Sequence, residues 1–400
     1  MREPRPITHV EVSDKNRNVR LIAAIVLLVI GALALTVGIT SLLNKDTGWQ
    51  EVQISTQERS CSENFLFQYH FSGSGSEATA LNKQLEAAYG EACVKAYQLF
   101  TPDEAIDGVK NLYYVNHNPN KTIAVDPVLY AAFEKLVGTP WLYLGPAYAH
   151  YSSIIYNSGE AMLTQLDPHV SPDAADYVKK IADFAGDTKA IHLELLGDNQ
   201  VTLHVSEDYL AFAEAEEIEN FIDFGYLTNA VIIDYLAETM IAQGLTDGYL
   251  VSADGYTRNL CAEGRFNFNI FDREENLVYP AGVMEYSGPI SIVYLKDYPT
   301  APSDANYREN GDHFVHLFAD PADGICRTST ENLVSYSYET GCVEVALKML
   351  PAFVGDAFTV PEGVFSIWCD EQVIYYNDDA VSIGNLLKDE KTAYRAVRKQ

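Results

Sequence analysis

Within the 36 residues from Phe221 to Tyr256, FIDFGYLTNAVIIDYLAETMIAQGLTDGYLVSADGY, the chain lays down a pattern that few folds accommodate. Phe221-Ile222-Asp223-Phe224 is an apolar run of strand length, and Gly225 supplies the turn at which a chain leaves a sheet. Ile233, Leu236, Ala237 and Met240 then recur at i, i+3, i+4 and i+7, one face of a 3.6-residue period, and Gly244 stands where a C-cap glycine belongs. Gly248 to Ser252 reads as a second strand. Strand, glycine turn, helix and strand form a common unit. Its helix N-terminus would present N–H groups and the positive dipole end to an anion.

A second feature divides the chain. Leu21–Leu43 is 23 residues without a charge, about 34 Å of helix at ~1.5 Å per residue, enough to cross a hydrocarbon core of ~30 Å. Arg2, Arg5, Lys15, Arg17 and Arg20 precede it against Glu3, Glu11 and Asp14, which predicts a cytoplasmic N-terminus and a large domain outside the membrane. The expected organisation is a cytoplasmic tail over 1–20, a transmembrane helix over 21–43, a linker over 44–60, an exported domain over 61–385 and a C-terminal tail over 386–400. Only five of the 27 basic residues and three of the 56 acidic ones lie in the first 20, leaving a net charge of −31 beyond the membrane segment. Such a surface repels nucleic acid and anionic headgroups, so no nucleic-acid partner is expected.

Six cysteines, Cys61, Cys93, Cys261, Cys326, Cys342 and Cys369, all follow the apolar segment, without a C-x-x-C. Either disulfides or buried free thiols satisfy that spacing. Helices are expected over 77–100 and over 126–137, where Asp126-Pro127 supplies the start, and a hairpin over 190–205 around Gly197-Asp198. His192 and His204 read as ordinary strand residues of that hairpin.

The order of residues in Phe221–Tyr256 resembles the D-L-G-G-I-A-K-G-Y-x-x-D and G-V-x-x-x-L-V-N-x-G-G-D segments of the ApbE-type FAD:protein FMN transferases. Asp223, Gly225, Leu227, Asp234, Gly244, Leu250, Val251 and Gly255 match. Tyr226, Asn229 and Ala230 replace glycine, lysine and glycine, and Ser252 to Tyr256 replace N-x-G-G-D. The resemblance extends to Tyr114-Val115-Asn116 with Val125-Asp126-Pro127, and to His313-Phe-Val-His316-Leu-Phe-Ala-Asp320-Pro321, which is similar to H-H-I-x-D-P with one residue inserted. The T-S-G-x-Y segment falls near Ser303–Tyr307 without its glycine. The resemblance implies a mixed α/β (α+β) domain with the ApbE-like flavin transferase fold, with His316 and Asp320 in catalysis and Asn116, Asp223, Gly225, Asn229, Asp234, Ser252 and Gly255 around FAD.

In that family a helix A-D-A-L-x-T holds magnesium, and Val343-Glu344-Val345-Ala346-Leu347-Lys348 corresponds to it. The implied metal positions are therefore Glu344, Thr228 and Lys348. An ammonium has no lone pair, so Mg²⁺ binding is expected to be weakened, with Lys348 meeting an anion or pairing with Glu344 instead. Val343, Ala346, Leu347 and Leu350 are the expected buried side of that helix.

By resemblance the reaction is transfer of FMN from FAD to a threonine of a partner protein, and the exchanged residues predict impaired or lost activity. The alternative is a non-catalytic flavin or nucleotide binder, or a protein-interaction domain, of a membrane redox system. A surface rich in tyrosine, of which the chain has 26, suits the interaction role.

Overall fold

A computed structural model of the protein describes residues 48–73, 75–157, 159–274, 277–300, 304, 306–385 and 394–399. The Leu21–Leu43 segment lies outside them, as do residues 301–303 and 305 of the stretch compared above with T-S-G-x-Y. Among the described residues no helix is long and apolar enough to cross a membrane. The chain divides into two compact units, one of Met1–Trp49 with His70–Lys83, the other of Gln50–Tyr69 with Gln84–Gln400. In the first, the Trp49 and His70 rings meet edge to face at 5.4 Å. Gly48–Glu51, Phe65–Phe71 and Gly75–Phe100 have residues in both, and the other elements belong to the second.

Its main sheet runs, in space as in sequence, through Phe65–Phe71, Gly248–Ser252, Tyr256–Asn259, Ile290–Lys296, Asn332–Ser337, Phe365–Asp370, Val373–Tyr376 and Arg395–Arg398. Every neighbouring pair is antiparallel except the last. Arg395–Arg398 thus belongs to the sheet, although the sequence places it in a tail, because its amides pair with Val373–Tyr376. The linker expected over 44–60 likewise contains a strand, Gly48–Glu51.

Ile290–Lys296 is buried at every residue, as a strand covered on both faces must be. Ile290, Ile292 and Tyr294 join Ile270, Ala281, Met284 and Tyr286 of a three-stranded sheet formed by Arg265–Glu274, Leu277–Ser287 and Ser382–Asn385. Helices Thr228–Ala242 and Cys342–Phe353 pack on each other and on the main sheet.

Most expected elements form. Helix Pro127–Leu136 is capped by Asp126, which accepts the Val128 N–H at 2.9 Å, with Pro127 in its first turn. Helix Gly75–Phe100 and hairpin Ile191–Gly197/Gln200–Val205 match the periodicity. The hairpin turns at Asp198 and Asn199, both left-handed at φ 49° and 57°. His192 and His204 are cross-strand partners with stacked rings 4.5 Å apart. All six cysteines are buried free thiols.

Two further expectations change. Phe221–Phe224 is not a strand, because its amides go elsewhere: Phe221 and Ile222 donate to Asn116 Oδ1 at 3.0 and 2.9 Å, and Asp223 to the Leu142 carbonyl at 3.0 Å. Its apolar side chains are nonetheless buried, so the run signalled burial and not pairing. On helix Cys342–Phe353 the buried side includes Val345 and Met349, while Leu347 is only half-buried.

Candidate functional site

Three of the segments compared above, at 225–229, 253–256 and 316–318, meet at a cleft of about 690 Å³. Tyr226, Thr228 and Asn229 line it from the start of helix Thr228–Ala242, Asp254 and Tyr256 from the turn between Gly248–Ser252 and Tyr256–Asn259, and His316 from the loop after strand His313–Val315. That volume lies in the range of small-molecule and cofactor sites.

Gly225 opens the helical segment as a 3₁₀ turn, Gly225–Leu227. Its φ of 54° is left-handed, and a Cβ there would lie 2.5 Å from the Tyr148 ring, so only glycine fits. Its N–H donates to Asp223 Oδ1 at 2.9 Å, and Thr228 Oγ1 donates to its carbonyl at 2.7 Å. The helix start therefore carries its own carboxylate, and the Gly225 N–H that the sequence offered to an anion is already taken.

Burial raises the Asp223 carboxyl to about 7, assisted by the Asp103 charge and opposed by the Gly225 and Phe224 N–H groups. An acid whose pKa rises on folding stabilises the fold fully below its unfolded value near 4, and this contribution fades as pH rises through 7. Asp223→Asn is expected to flatten the pH dependence of stability between pH 4 and 7. The span involved is several kcal/mol, at about 1.4 kcal/mol per tenfold change in proton affinity. Urea denaturation across that range checks it, and an unchanged slope would contradict the assignment.

Lys296, the last residue of the central strand, is the cleft's buried cation. Its ammonium reaches Asp304 Oδ2 at 2.8 Å and Tyr307 Oη at 3.3 Å, and lies 4.6 Å from the Tyr307 ring centroid. Opposite it, Asp254 accepts from Asn229 Nδ2 and, at 2.7 Å, from Asn306 Nδ2. Burial raises the Asp254 carboxyl above its ordinary value, although both amides and Lys296 oppose this. Tyr226 adds an aromatic wall, its ring 5.0 Å from Phe318 and 5.8 Å from Tyr148. Lys296 and Asp304 went unnoticed in the sequence; the only signal was a lysine ending the apolar run ISIVYL.

His316 is buried, with its ring edges near Tyr307 and Phe318. Its Nδ1 accepts the Phe318 N–H at 3.3 Å, which leaves the ring proton on Nε2. Burial, helped by the His169 and His313 charges, lowers its pKa to about 3. Near neutral pH it can donate a hydrogen bond and cannot take up a proton.

The remaining expected residues build the frame. Asn116 Nδ2 donates to the Ile222 carbonyl at 2.9 Å. Ser252 Oγ accepts the Asp254 and Tyr256 N–H groups at 3.1 and 3.4 Å. Gly255, in the same turn, has φ 93°. Asp320 Oδ1 accepts the Ala322 N–H at 2.9 Å within the loop ending at Gly324. Asp234 is buried against Arg258 and accepts the Cys342 and Val343 N–H groups at 2.8 and 3.0 Å.

Glu344 and Lys348 do not meet the cleft or each other. Glu344 lies 3.9 Å from Lys135 Nζ, and Lys348 donates to the Gly363 carbonyl at 2.9 Å. The Glu344–Lys348 pair expected from the i, i+4 spacing is therefore not formed, since each side chain has another partner. With Thr228 Oγ1 bonded to Gly225, these three residues do not make an oxygen cage for magnesium.

No protein-family model and no curated protein matches the sequence. Solved structures do match its fold. The flavin transferase ApbE from Vibrio cholerae is 12% identical, with 84% of this chain and 97% of that one covered at a TM-score of 0.52. The apbe protein of Thermotoga maritima is 10% identical, covering 84% and 96% at 0.48, and the apo flavinyl transferase ApbE of Pseudomonas stutzeri is 12% identical, covering 80% and 90% at 0.45. Through the Vibrio cholerae likeness, over nearly the full length of that protein, this chain has the mixed α/β fold of an ApbE flavin transferase.

Proposed function

We propose that the protein binds a flavin nucleotide of the FAD class in the cleft at Tyr226, Asp254, Lys296 and His316, and that the FMN transfer implied by its fold is weakened or lost. The observation that carries this reading is convergence. The 225–229, 252–256 and 316–318 segments, far apart in sequence and selected by resemblance, line one cleft with aromatic walls and one buried cation.

FAD, when bound, would supply the FMN group for transfer. Lys296 would face its pyrophosphate, sharing its charge with Asp304. Tyr226 and Phe318 would offer apolar faces to ring systems, and His316 would donate from Nε2 to an anionic or carbonyl oxygen. His316 is not poised as base toward a threonine, because it is held neutral with its free nitrogen protonated. The misfit of Glu344, Thr228 and Lys348 to magnesium removes the second requirement of the transfer, so weak or absent catalysis is the expected state. We further read Leu21–Leu43 as an anchor placing this domain outside the cell membrane, beside a flavinylated or redox membrane protein.

The test is FAD binding by flavin fluorescence quenching, followed by incubation with FAD, Mg²⁺ and a threonine-bearing acceptor and in-gel detection of covalent flavin. Saturable binding with little labelling is expected. Lys296→Met with Asp304→Asn, which removes both charges together, should weaken FAD binding about tenfold to a hundredfold, the effect of losing a charge-assisted hydrogen bond of ~1.5–3 kcal/mol. Efficient labelling would overturn the loss of transfer. Absence of any FAD binding would favour a protein-interaction domain instead.

A further inference from the structure

We propose that Asp167, His169 and His313 form a binding site for a divalent transition-metal ion of the zinc class, separate from the residues assigned to flavin. Each offers one ligand atom, and these atoms lie within 4.8 Å of one another. Asp167 follows helix Glu160–Leu166, its side chain fully buried, and its carbonyl accepts the Val170 and Ser171 N–H groups at 3.0 and 2.9 Å. That turn brings His169 Nδ1 to 3.1 Å from Asp167 Oδ1. His313 comes from a different element, the hairpin Arg308–Asn310/His313–Val315, and its Nε2 lies 2.7 Å from Asp167 Oδ2. The two imidazole rings sit 4.6 Å apart.

Two nitrogens therefore point at the two oxygens of one carboxylate. Protons can fill those gaps, and so can a cation. At about 2.0–2.2 Å from each of three tetrahedral ligands, a metal would hold them about 3.4 Å apart, a small expansion of the closest contacts here.

The surroundings favour the cation. A metal-bound histidine characteristically gives its other N–H to a carboxylate, and His313 Nδ1 lies 3.4 Å from Asp312 Oδ1. His313 can equally donate from Nε2 to Asp167 Oδ2 at 2.7 Å, and a cation taken up there would replace that proton and leave the remaining N–H on Nδ1, toward Asp312. Asn310 Nδ2 and the His169 N–H orient the carboxylate. The carboxylate itself is closed to water, while the His169 and His313 side chains are 31% and 26% exposed, so an ion can enter from their side. Two imidazoles and one carboxylate suit Zn²⁺, Fe²⁺ or Co²⁺ and not Mg²⁺ or Ca²⁺, which take oxygen ligands. Three protein ligands leave a coordination position open. The ion would also staple the 308–315 hairpin to the Asp167 turn.

The test uses the full chain stripped with chelator and titrated with Co²⁺, read by its visible absorption bands, then with Zn²⁺ in competition. One equivalent with nitrogen–oxygen bands is expected, displaced by Zn²⁺ and not by Mg²⁺. His169→Ala with His313→Ala should lose about a hundredfold or more in affinity, and Asp312→Asn, on an exposed side chain that leaves folding untouched, about tenfold. Failure of the wild-type chain to bind one equivalent, or equal binding by the wild-type chain and the folded double variant, would overturn the site. The outcome is independent of FAD binding.

Discussion

Replacing Asp234 with alanine is expected to destabilise the protein by about 3–5 kcal/mol, the cost of leaving one partner of a buried ion pair alone. Arg258 would be that partner: its side chain is 14% exposed and that of Asp234 2%. The same carboxylate also serves helix Cys342–Phe353. Gly341, its N-cap, has no side chain to offer, so Asp234 accepts the first two N–H groups from across the core. A cap of this kind is worth about 1 kcal/mol. A Cβ on Gly341 would stand 2.3 Å from Asp234 Oδ2, so the helix start is glycine because the carboxylate occupies its place. Urea denaturation of Asp234→Ala, Arg258→Ala and the double variant measures this. The double variant should lose much less than the sum of the single losses, since it leaves no lone charge. Additive losses would show that the pair is not coupled.

Gly255→Ala should cost several kcal/mol and abolish the proposed FAD binding with it. The residue sits at φ 93°, and a Cβ there would meet the Tyr294 carbonyl oxygen at 2.3 Å. Both a left-handed conformation, at about 1–2 kcal/mol, and a backbone overlap, at about 1–3 kcal/mol or more, count against alanine. The carbonyl cannot swing aside freely, because Tyr294 N–H donates to the Gly255 carbonyl at 2.9 Å. Displacing this turn moves Asp254 and Tyr256, which line the cleft on either side of it. Calorimetry and flavin titration report the two effects separately. A variant that folds and binds FAD as the wild type does would show that the turn is not part of the site.

The sequence carried the local structure well where local physics decides it. Asp126-Pro127 starts a helix because a carboxylate and a fixed φ suit the first turn, and the 228–242 helix follows its apolar spacing to Gly244, whose φ is 72°. Gly225 and Gly255, singled out by resemblance, prove to be glycines because a ring and a carbonyl lie against them. Phe221–Phe224 misled because an apolar run reports burial, whereas strand pairing depends on where the amides find acceptors, here Asn116 and Leu142. Glu344 and Lys348 misled because i, i+4 spacing places two charges on one helix face without forbidding nearer partners from other elements.

By itself the sequence determined the main helices and turns through period and turn chemistry, and through its resemblance in residue order it pointed to the mixed α/β class and to the segments that surround the cleft. Tertiary structure alone decided what those residues do. It turned Asp234 into a helix cap, kept His316 neutral through burial, seated Lys296 beside Asp304 and gathered Asp167, His169 and His313 from two distant elements. Charge state, hydrogen-bond partner and ligand geometry depend on what lies within a few ångströms in space, and for Asp167 two of those neighbours, Asn310 and His313, are more than 140 positions away along the chain.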